Sequence, residues 1–390
     1  MVDDGAIGAR LQEARRAIGL TQTEVGNRMG MVTSTISAIE AGKRPVGGAE
    51  LYRLAQIYKR PLASFLGGEP PSESPGFQYL FRQVDERVLD RASIVDLEQL
   101  AAAYQLVEEL VEASPLPLPP DYSSFSFHTA EDAETLAEME RSRLGLGDAP
   151  IKDLASLLDE QVGVRTFMLP VANQSWSGLA VRDQTGRPCI AINSREEFYR
   201  RNYDLAHEYA HVLMHLGRDH RPDARVDFNA EPGASNSPDE RFAEAFSASF
   251  LMPRRAVLDQ LERIMRASKG QFTDQDLVHL AMHFGVSGQA LSLRLVSLRK
   301  LPRATHEDYW KKRARTFKAL AEMLGYKMDE QRTSWETPVL PRRFRYLALT
   351  AFHREIVSVS KLAELLREDV FELRAKLRNA QQDADEMIDA

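Results

Sequence analysis

YDLAHEYAHVLMH, at residues 203–215, contains the pattern His-Glu-x-x-His and carries the strongest signal in the chain. On a helix, His207 and His211 lie one turn apart, so both imidazoles project from one face at a spacing that suits two nitrogens on one zinc ion. Glu208 can reach a water held by the metal, where it can act as general base for attack on a peptide carbonyl. The sequence therefore predicts Zn²⁺ as cofactor and Glu208 as the catalytic residue. The open alternative is an amphipathic helix with two histidines and no metal.

A zinc site of this kind needs a third protein ligand and an open position for water. We predict Glu240, because a helix starting there places Glu240 and Glu244 on one face, one turn apart. Glu240 would bind the metal, and Glu244 would accept a hydrogen bond from a ligand histidine and fix its tautomer. A solvated helix face is the alternative for this pair. His215 lies about 12 Å along the helix axis from His207, so we predict packing or hydrogen bonding for it.

Strand-like runs precede the histidine helix, and helical patterns dominate elsewhere. The predicted strands are 162–169, 177–182 and 188–193, and either of the last two could offer an edge to an extended substrate. The predicted fold class is mostly α with a small β-sheet (α+β). The expected parts are an all-α domain at 1–67, a linker and helical segment at 68–121, an α+β domain at 122–300 and a helical domain at 301–390. We see no internal repeat in the sequence.

Composition is that of a soluble protein, with 43% hydrophobic and 27% charged residues over a length sufficient for two to four domains. There is no apolar run near 20 residues and no basic-then-apolar leader, so we expect a cytoplasmic protein with no membrane span. Cys189 is the single cysteine, which excludes an internal disulfide and a cysteine-rich metal cluster. The net charge of -7 argues against indiscriminate nucleic-acid binding but allows a small DNA-reading module.

Such a module is predicted at residues 21–41, where a helix, a turn at Gly30 and a second helix form a helix-turn-helix. Residues 1–66 hold nine Lys/Arg against six Asp/Glu, a local basic surplus. The second helix would enter the major groove by its N-terminal end, with phosphates held from its flanks. The predicted DNA-binding residues are Gln22, Thr33, Ser34, Thr35, Ser37, Lys43 and Arg44. The alternative is a small helical protein-interaction module.

Residues 7–66 resemble the Cro/repressor-type, or XRE-family, helix-turn-helix domain. The resemblance is carried by Leu20-Thr21-Gln22, by ISAIEAGKRP at residues 36–45, and by Leu51, Leu54 and Ala55. One departure is Val32, where the family often has a Ser or Thr cap. The resemblance implies a duplex DNA operator as partner and, since such domains usually bind as dimers, a homodimer.

Residues from about 130 to 300 resemble the ImmA/IrrE family of zinc metallopeptidases. The resemblance is carried by PIKDL at 150–154, Ser177-Gly178, RNYDLAHEYAH at 201–211 and ERFAEAFSASFLMP at 240–253. It implies a zincin-like fold, with His207, His211 and Glu240 as ligands and Glu208 as base. Asp204 and Glu244 depart from the usual residues, and neither change removes a ligand. Members of this family cleave helix-turn-helix repressors and so relieve transcriptional repression.

The expected function is a DNA-binding transcriptional regulator with a zinc-dependent endopeptidase domain. Its substrate would be a bond in a regulatory protein, either a helix-turn-helix repressor or the chain itself. An alternative is a non-catalytic transcription factor whose peptidase-like domain is a sensor or partner-binding module. A third interpretation is an antitoxin or phage-defence regulator.

Overall fold

The structure is a computed structural model that describes residues 4–58, 60, 62–66, 78–79, 91–124, 129–171, 177–216, 237–326 and 339–388. The start of the predicted linker and helical segment, residues 68–77, lies outside these residues. Contacts divide the chain into two units, the second of which begins with 78–79 and continues from residue 103. No helix among the described residues is both long and apolar enough to cross a membrane.

The first unit is helical, as predicted. Its helices are α1 (Asp4–Ala17), α2 (Gln22–Met29), α3 (Thr33–Glu40), α4 (Gly48–Tyr58), α5 (Leu62–Phe65) and the first half of α6 (Arg91–Leu110). Thr21 caps α2 in a reciprocal pair with Glu24, and Gly30 ends α2 in the left-handed conformation at φ 68°. A Cβ on Gly26 would lie 2.7 Å from the Met31 carbonyl oxygen, so the tight turn into α3 requires a glycine there. Val32 caps α3 without a side-chain hydrogen bond.

The second unit contains a four-stranded sheet among its described residues. The strands β1 (Gln78–Tyr79), β2 (Arg165–Leu169), β3 (Gly178–Arg182) and β4 (Pro188–Asn193) lie in the order β1-β3-β4-β2. Strand β4 pairs parallel with β2 and antiparallel with β3, and β1 pairs antiparallel with the end of β3. Strand β4 is therefore internal, so the prediction that it could offer an edge is wrong. Within the described chain, β3 has an open side along residues 178–180, because β1 pairs only with residues 181 and 182.

The first strand begins later than predicted. Residues Leu158–Val162 form a π-helical turn that continues a short helix, and Gly163 ends it at φ 80°. A Cβ on Gly163 would lie 2.2 Å from the Pro117 carbonyl oxygen, so this reversal depends on glycine. The apolar pattern of Val162 is satisfied by burial in this turn, and extended pairing starts at Arg165.

Helices surround the sheet and enclose one apolar core. They are α7 (Ala130–Arg143), α8 (Leu154–Leu157), α9 (Phe198–His215), α10 (Pro238–Leu251), α11 (Arg254–Ala267), α12 (Asp274–Phe284), α13 (Gly288–Ser297) and α14 (Arg303–Met323). Helix α9 contacts β3, β4 and α10, and α10 also packs on α7. The fold class, mostly α with a small sheet, is confirmed.

The last described helices are α15 (Arg342–His353), α16 (Val359–Leu366) and α17 (Val370–Ile388). Helix α15 is joined to α6 by a buried ionic network: Arg343 pairs with Glu108, which also binds Arg165 over 2.5 Å. Arg165 in turn pairs with Asp183, so the network ties α15 to the sheet as well. Because both arginines are paired, burying these charges leaves none of them uncompensated.

Candidate metal site

The three predicted ligands come together where α9 meets the first turn of α10. His207 Nε2 lies 3.0 Å from Glu240 Oε2 and 3.1 Å from His211 Nε2, and His211 Nε2 lies 3.5 Å from Glu240 Oε1. Among the described residues, these three are the His, Cys, Asp or Glu side chains whose ligand atoms lie close enough together to share one ion. Glu208 follows His207 on the same helix and is 6% exposed.

These distances fit zinc. Bonds of about 2.0–2.2 Å to nitrogen and oxygen in a tetrahedron place neighbouring ligand atoms about 3.3 Å apart. Glu240 Oε1 is buried, and its nearest described partner, His211 Nε2, lies 3.5 Å away without forming a well-directed hydrogen bond, which favours a cation beside this oxygen. Two histidines and one glutamate are the donor set of known catalytic zinc sites, which keep a fourth position for water. The residues therefore fit the ion that the sequence predicts.

The electrostatics of the trio keep its carboxylate ionised. Burial opposes the ionisation of Glu240, but the neighbouring His211 and His207 outweigh it and hold the pKa of that carboxyl well below its usual value. Burial likewise opposes the charging of His207, whereas the hydrogen bond to Glu240 favours it, and the pKa of His207 is raised overall. The Glu240 carboxylate is therefore ready to bind a cation without releasing a proton, whereas a protonated His207 must first lose its proton.

Two tyrosines of α9 fix the position of the trio, and sequence reasoning missed both. Tyr209 packs on the rings of Phe246 and Phe250 of α10, with centroids 6.1 and 5.9 Å away. The Tyr209 hydroxyl also donates to Glu140 of α7 over 2.6 Å. Tyr203 donates its hydroxyl to the Glu244 carbonyl oxygen over 3.0 Å, one turn beyond Glu240. Because these contacts lock α9 against α10, the ligands from the two helices stay in register.

Strand β3 passes directly against the predicted base. A Cβ on Gly178 would lie 2.8 Å from Cγ and 2.9 Å from Oε1 of Glu208, and 3.0 Å from Ile192 Cδ1. Only a residue without a side chain leaves the Glu208 carboxylate in its observed place. The sequence shows merely a glycine at the start of a strand, which is too common a feature to single out this contact.

The remaining predicted residues lie around the trio. The Glu244 carbonyl oxygen accepts the hydrogen bond from Tyr203. The predicted hydrogen bond between the Glu244 carboxylate and a ligand histidine stays a prediction. His215 stacks on His211 at 5.8 Å between centroids and lies 3.8 Å from Asp239, outside the metal group, as expected. Asp204 lies one turn before Glu208, and burial raises the pKa of its carboxyl to about 7, with Glu196 and Glu208 adding to the shift. Its Oδ2 has no hydrogen-bond partner among the described residues.

In the first unit, the N-terminal end of α3 presents the residues predicted to face DNA bases. Thr33, Ser34 and Ser37 are exposed, and Thr35 is half-buried. Lys43 is exposed after α3 as well. Two of the predicted phosphate contacts have partners within the chain. Gln22 donates to Glu40 over 2.8 Å, and Arg44 pairs with Glu50 over 2.8 Å.

The buried carboxylate of Glu40 organises this module. It receives Arg15 Nε over 2.6 Å as well as the Gln22 amide, so it ties α1, α2 and α3 together. Burial opposes ionisation of Glu40, but hydrogen bonds from Arg15 and Gln22 prevail and lower the pKa of its carboxyl. Gln22 therefore contributes to the internal structure of the module, and its contact with DNA phosphate stays a prediction.

Comparison with known proteins finds two domain families in the chain. Residues 6–64 match the family model described as a helix-turn-helix domain. Residues 159–296, which include His207, Glu208, His211 and Glu240, match the model described as the IrrE N-terminal-like domain, a peptidase family. No curated protein matches the chain. The chain thus joins a helix-turn-helix domain to an IrrE-like peptidase domain, the combination that the sequence predicts.

Proposed function

We propose that this protein is a transcriptional regulator that binds duplex DNA through residues 6–64 and hydrolyses a peptide bond at a zinc site formed by His207, His211 and Glu240. One observation carries the peptidase half: two imidazole nitrogens and a carboxylate converge at 3.0–3.5 Å, with Glu208 beside them. That arrangement supports metal-assisted hydrolysis because it supplies both a metal-binding group and an adjacent base.

In the proposed mechanism, zinc when bound would polarise the scissile carbonyl and lower the pKa of the attacking water. Glu208 accepts the proton of that water and delivers it to the leaving amine nitrogen. Gly178 leaves room for the Glu208 carboxylate next to β3, and the buried surroundings limit the water that competes for its proton. The His207–Glu240 contact holds two of the ligands in place.

The proposed substrate is an extended segment of a regulatory protein, either a helix-turn-helix repressor or this chain. The open side of β3 at residues 178–180 lies next to Glu208, so a peptide added there as a strand would bring a carbonyl toward the site. We also propose that the protein acts as a homodimer on its operator, because repressor-type modules read paired half-sites. We also propose that the helix-turn-helix domain spans residues 1–67 and the peptidase domain residues 122–300.

Burial favours a second candidate, a partner-binding module that does not cut. The side chain of His207 is only 16% exposed, and those of His211 and Glu240 are 2% and 6% exposed. A metal group this enclosed by described residues gives a substrate little access unless the surroundings move. In that case, metal or partner binding to the same residues would regulate DNA binding without hydrolysis.

The test uses the full chain and its Glu208→Gln variant, both purified without chelator. Zinc content is measured by elemental analysis. Each protein is incubated with a peptide library made from a bacterial proteome, and new termini in the library and in the chain itself are read by mass spectrometry. We expect about one zinc per chain in both proteins and new termini only with the wild type. Zinc binding without cutting would support the second candidate, and the absence of bound zinc would refute both metal-based proposals.

A further inference from the structure

The last three helices repeat the spacing of the first three along the chain, and the third helix packs on the second in both sets. The first helix packs differently: α1 lies mainly against α3, whereas α15 lies mainly against α16. Helices α2 and α16 both span eight residues, and Gln22 and Val359, their first residues, are 337 positions apart. The same shift places α1 at 341–354, over α15, and the start of α3 at Val370, where α17 begins. One constant shift therefore relates the positions of all three helices along the chain.

The turn between the second and third helix repeats in its hydrogen bonds. Thr21 and Ser358 each cap the second helix by accepting from the amide three residues on. Gly30 and Arg367 each end it in the left-handed conformation, at φ 68° and 55°. The matched backbone pairs are Gly30 N to Asn27 O (3.3 Å) with Arg367 N to Glu364 O (3.2 Å), and Met31 N to Gly26 O (2.8 Å) with Glu368 N to Ala363 O (3.0 Å).

Buried positions correspond as well. The same shift pairs Ile7, Leu11, Ala14, Val25, Gly26, Met29 and Ile36 with Phe344, Ala348, Ala351, Leu362, Ala363, Leu366 and Leu373, all of them buried. Ala363 stands where the first module has Gly26, so the second turn accommodates a Cβ for which the first turn has no room. Two buried positions do not correspond: Ile18 is paired with the exposed Glu355, and Ile39 with the exposed Lys376 of α17, which runs on to Ile388. Tyr104 of α6 completes this core by packing edge-on against Phe344 at 5.3 Å.

By its position along the chain and its contact with the preceding helix, α17 corresponds to α3. The positions equivalent to Ser34 and Ser37 are Phe371 and Arg374, and Arg378 follows one turn later. Phe371 is 72% exposed, and both arginines are exposed. At spacings of three and four these three side chains lie on one face of the helix. No carboxylate among the described side chains forms an ion pair with Arg374 or Arg378.

We propose that α15–α17 form a second helix-turn-helix that binds duplex DNA through this face of α17. Residues 342–380 hold nine Lys/Arg against five Asp/Glu, and the basic part of α17 is confined to its first half, because Asp383, Asp385 and Glu386 follow before the helix ends. Arginine pairs with the O6 and N7 atoms of guanine, and phenylalanine packs on the methyl group of thymine. The surface is therefore complementary to a major groove in charge and in the contacts it offers.

The acidic residues near the start of α17 are largely engaged within the module. Asp369 caps the helix by accepting from the amides of Phe371 and Glu372, over 2.8 and 3.1 Å. Glu368 is paired with Lys376 over 2.8 Å and with Arg345 over 3.4 Å. Asp369 and Glu372 are both exposed, and Glu372 is the acid of this group whose side chain has no such partner among the described residues. A protein partner is less well supported, because Phe371 is a single apolar side chain on a face that otherwise carries arginines.

The inference goes beyond the proposed function and is independent of the peptidase. It predicts that one chain reads two DNA elements of different sequence. The test selects bound duplexes from a pool with 40 random base pairs, using the full chain. Four proteins are compared: the wild type, Arg374→Ala/Arg378→Ala, Ser34→Ala/Ser37→Ala, and the matched control Arg263→Ala/Arg266→Ala, which removes the same charge from exposed helix α11.

We expect the wild type and the control to enrich two different elements, and each of the other variants to lose one of them. The affinity of the α17 variant for the enriched duplex should fall by roughly 10- to 100-fold. The proposal would be overturned if the wild type enriched only one DNA element, or an inverted repeat of it, and Arg374→Ala/Arg378→Ala enriched the same element equally well. Phe371→Ser tests it without a change of charge: it should alter the preference at one base pair. A changed oligomeric mass with unchanged DNA selection would instead identify a protein-docking surface and refute DNA binding.

Discussion

Gly178 of β3 lies so close to Glu208 of α9 that a methyl group at this position would come within 2.8 Å of the Glu208 Cγ. The contact joins the sheet to the helix that carries the proposed base. It makes the position of that base depend on the absence of a side chain in the neighbouring strand, although no ligand residue is involved.

The first prediction concerns Gly178→Ala. We expect a loss of about 1–3 kcal/mol in the free energy of unfolding, because a well-packed core accepts an extra methyl group poorly. Part of this loss should disappear in the Glu208→Ala background, where the closest atoms are removed, although Ile192 Cδ1 at 3.0 Å remains. Urea unfolding of the four proteins in this cycle measures the coupling. Equal losses in both backgrounds would show that Gly178 and Glu208 do not interact.

The second prediction concerns Glu240→Gln. Replacing the carboxylate removes the negative charge between His207 and His211, so zinc should bind far more weakly. Zinc at about 100 times its dissociation constant should stabilise the wild type by about 2.7 kcal/mol and leave the variant nearly unchanged.

Thermal unfolding with and without zinc measures this difference. The matched control is Asp239→Asn, one residue earlier, since Asp239 lies near His215 and outside the metal group. The assignment of Glu240 fails if both variants lose zinc to the same extent, or if neither does.

The third prediction concerns the pH dependence of stability. Burial raises the pKa of Asp159 to about 7, and the carboxylates of Glu160 and Glu108 add to it, against opposing contributions from Tyr104 and Arg343. Because the folded state holds this proton more tightly than the unfolded state, its contribution is complete below about pH 4 and is lost as the pH rises to 7.

In Asp159→Asn this loss should be absent. The slopes of unfolding free energy against pH should then differ by up to about 1.4 kcal/mol per pH unit between pH 4 and 7. Urea unfolding at steps of half a pH unit provides the curves. Asp153→Asn is the control, because Asp153 caps α8 at a partly exposed position. Parallel curves for wild type and Asp159→Asn would contradict the shifted pKa.

The fourth prediction separates two kinds of DNA contact. Lys43 is exposed beyond α3, where a cation would meet phosphate, so Lys43→Ala should weaken binding to all sequences alike. It should also lower the slope of log affinity against log salt by about 1. Ser37→Ala should instead change base preference and leave the salt slope intact. Fluorescence anisotropy over a range of salt concentrations tests both, with the exposed Arg53→Ala on α4 as control. A salt slope that is unaffected by Lys43→Ala would remove this residue from the interface.

The parts of this site that sequence predicts are those set by local geometry. His207 and His211 share a face of one helix whatever surrounds it, and Glu240 follows from the same reasoning on a second helix. The contact of Gly178 with Glu208 joins a strand to a helix, so the periodicity of neither element predicts it. The early start of a strand at Val162 is wrong because an apolar residue looks the same in a buried turn as in a strand.

The repeat of the first three helices at the end of the chain is likewise invisible in residue identities. The paired core positions share burial but not type, as in Val25 and Leu362 or Leu11 and Ala348. What is shared is the spacing of caps, turn and buried side chains. This spacing is visible in the folded structure, but a comparison of residue identities does not detect it.

The fifth prediction uses the matched turns at Gly30 and Arg367. Both residues are left-handed, but only the first is a glycine, so Gly30→Ala should destabilise its module and Arg367→Gly should stabilise the other. A Cβ on Gly30 meets nothing within 4 Å, so its cost of about 1 kcal/mol comes from the backbone alone. Hydrogen exchange of amides in α2 and α16 measures each turn separately. Gly19→Ala, in the left-handed turn before α2, is the control for backbone cost outside the repeated turn. If Arg367→Gly accelerates exchange in α16, the arginine side chain contributes more than its conformation costs, and the two turns are not energetic equivalents.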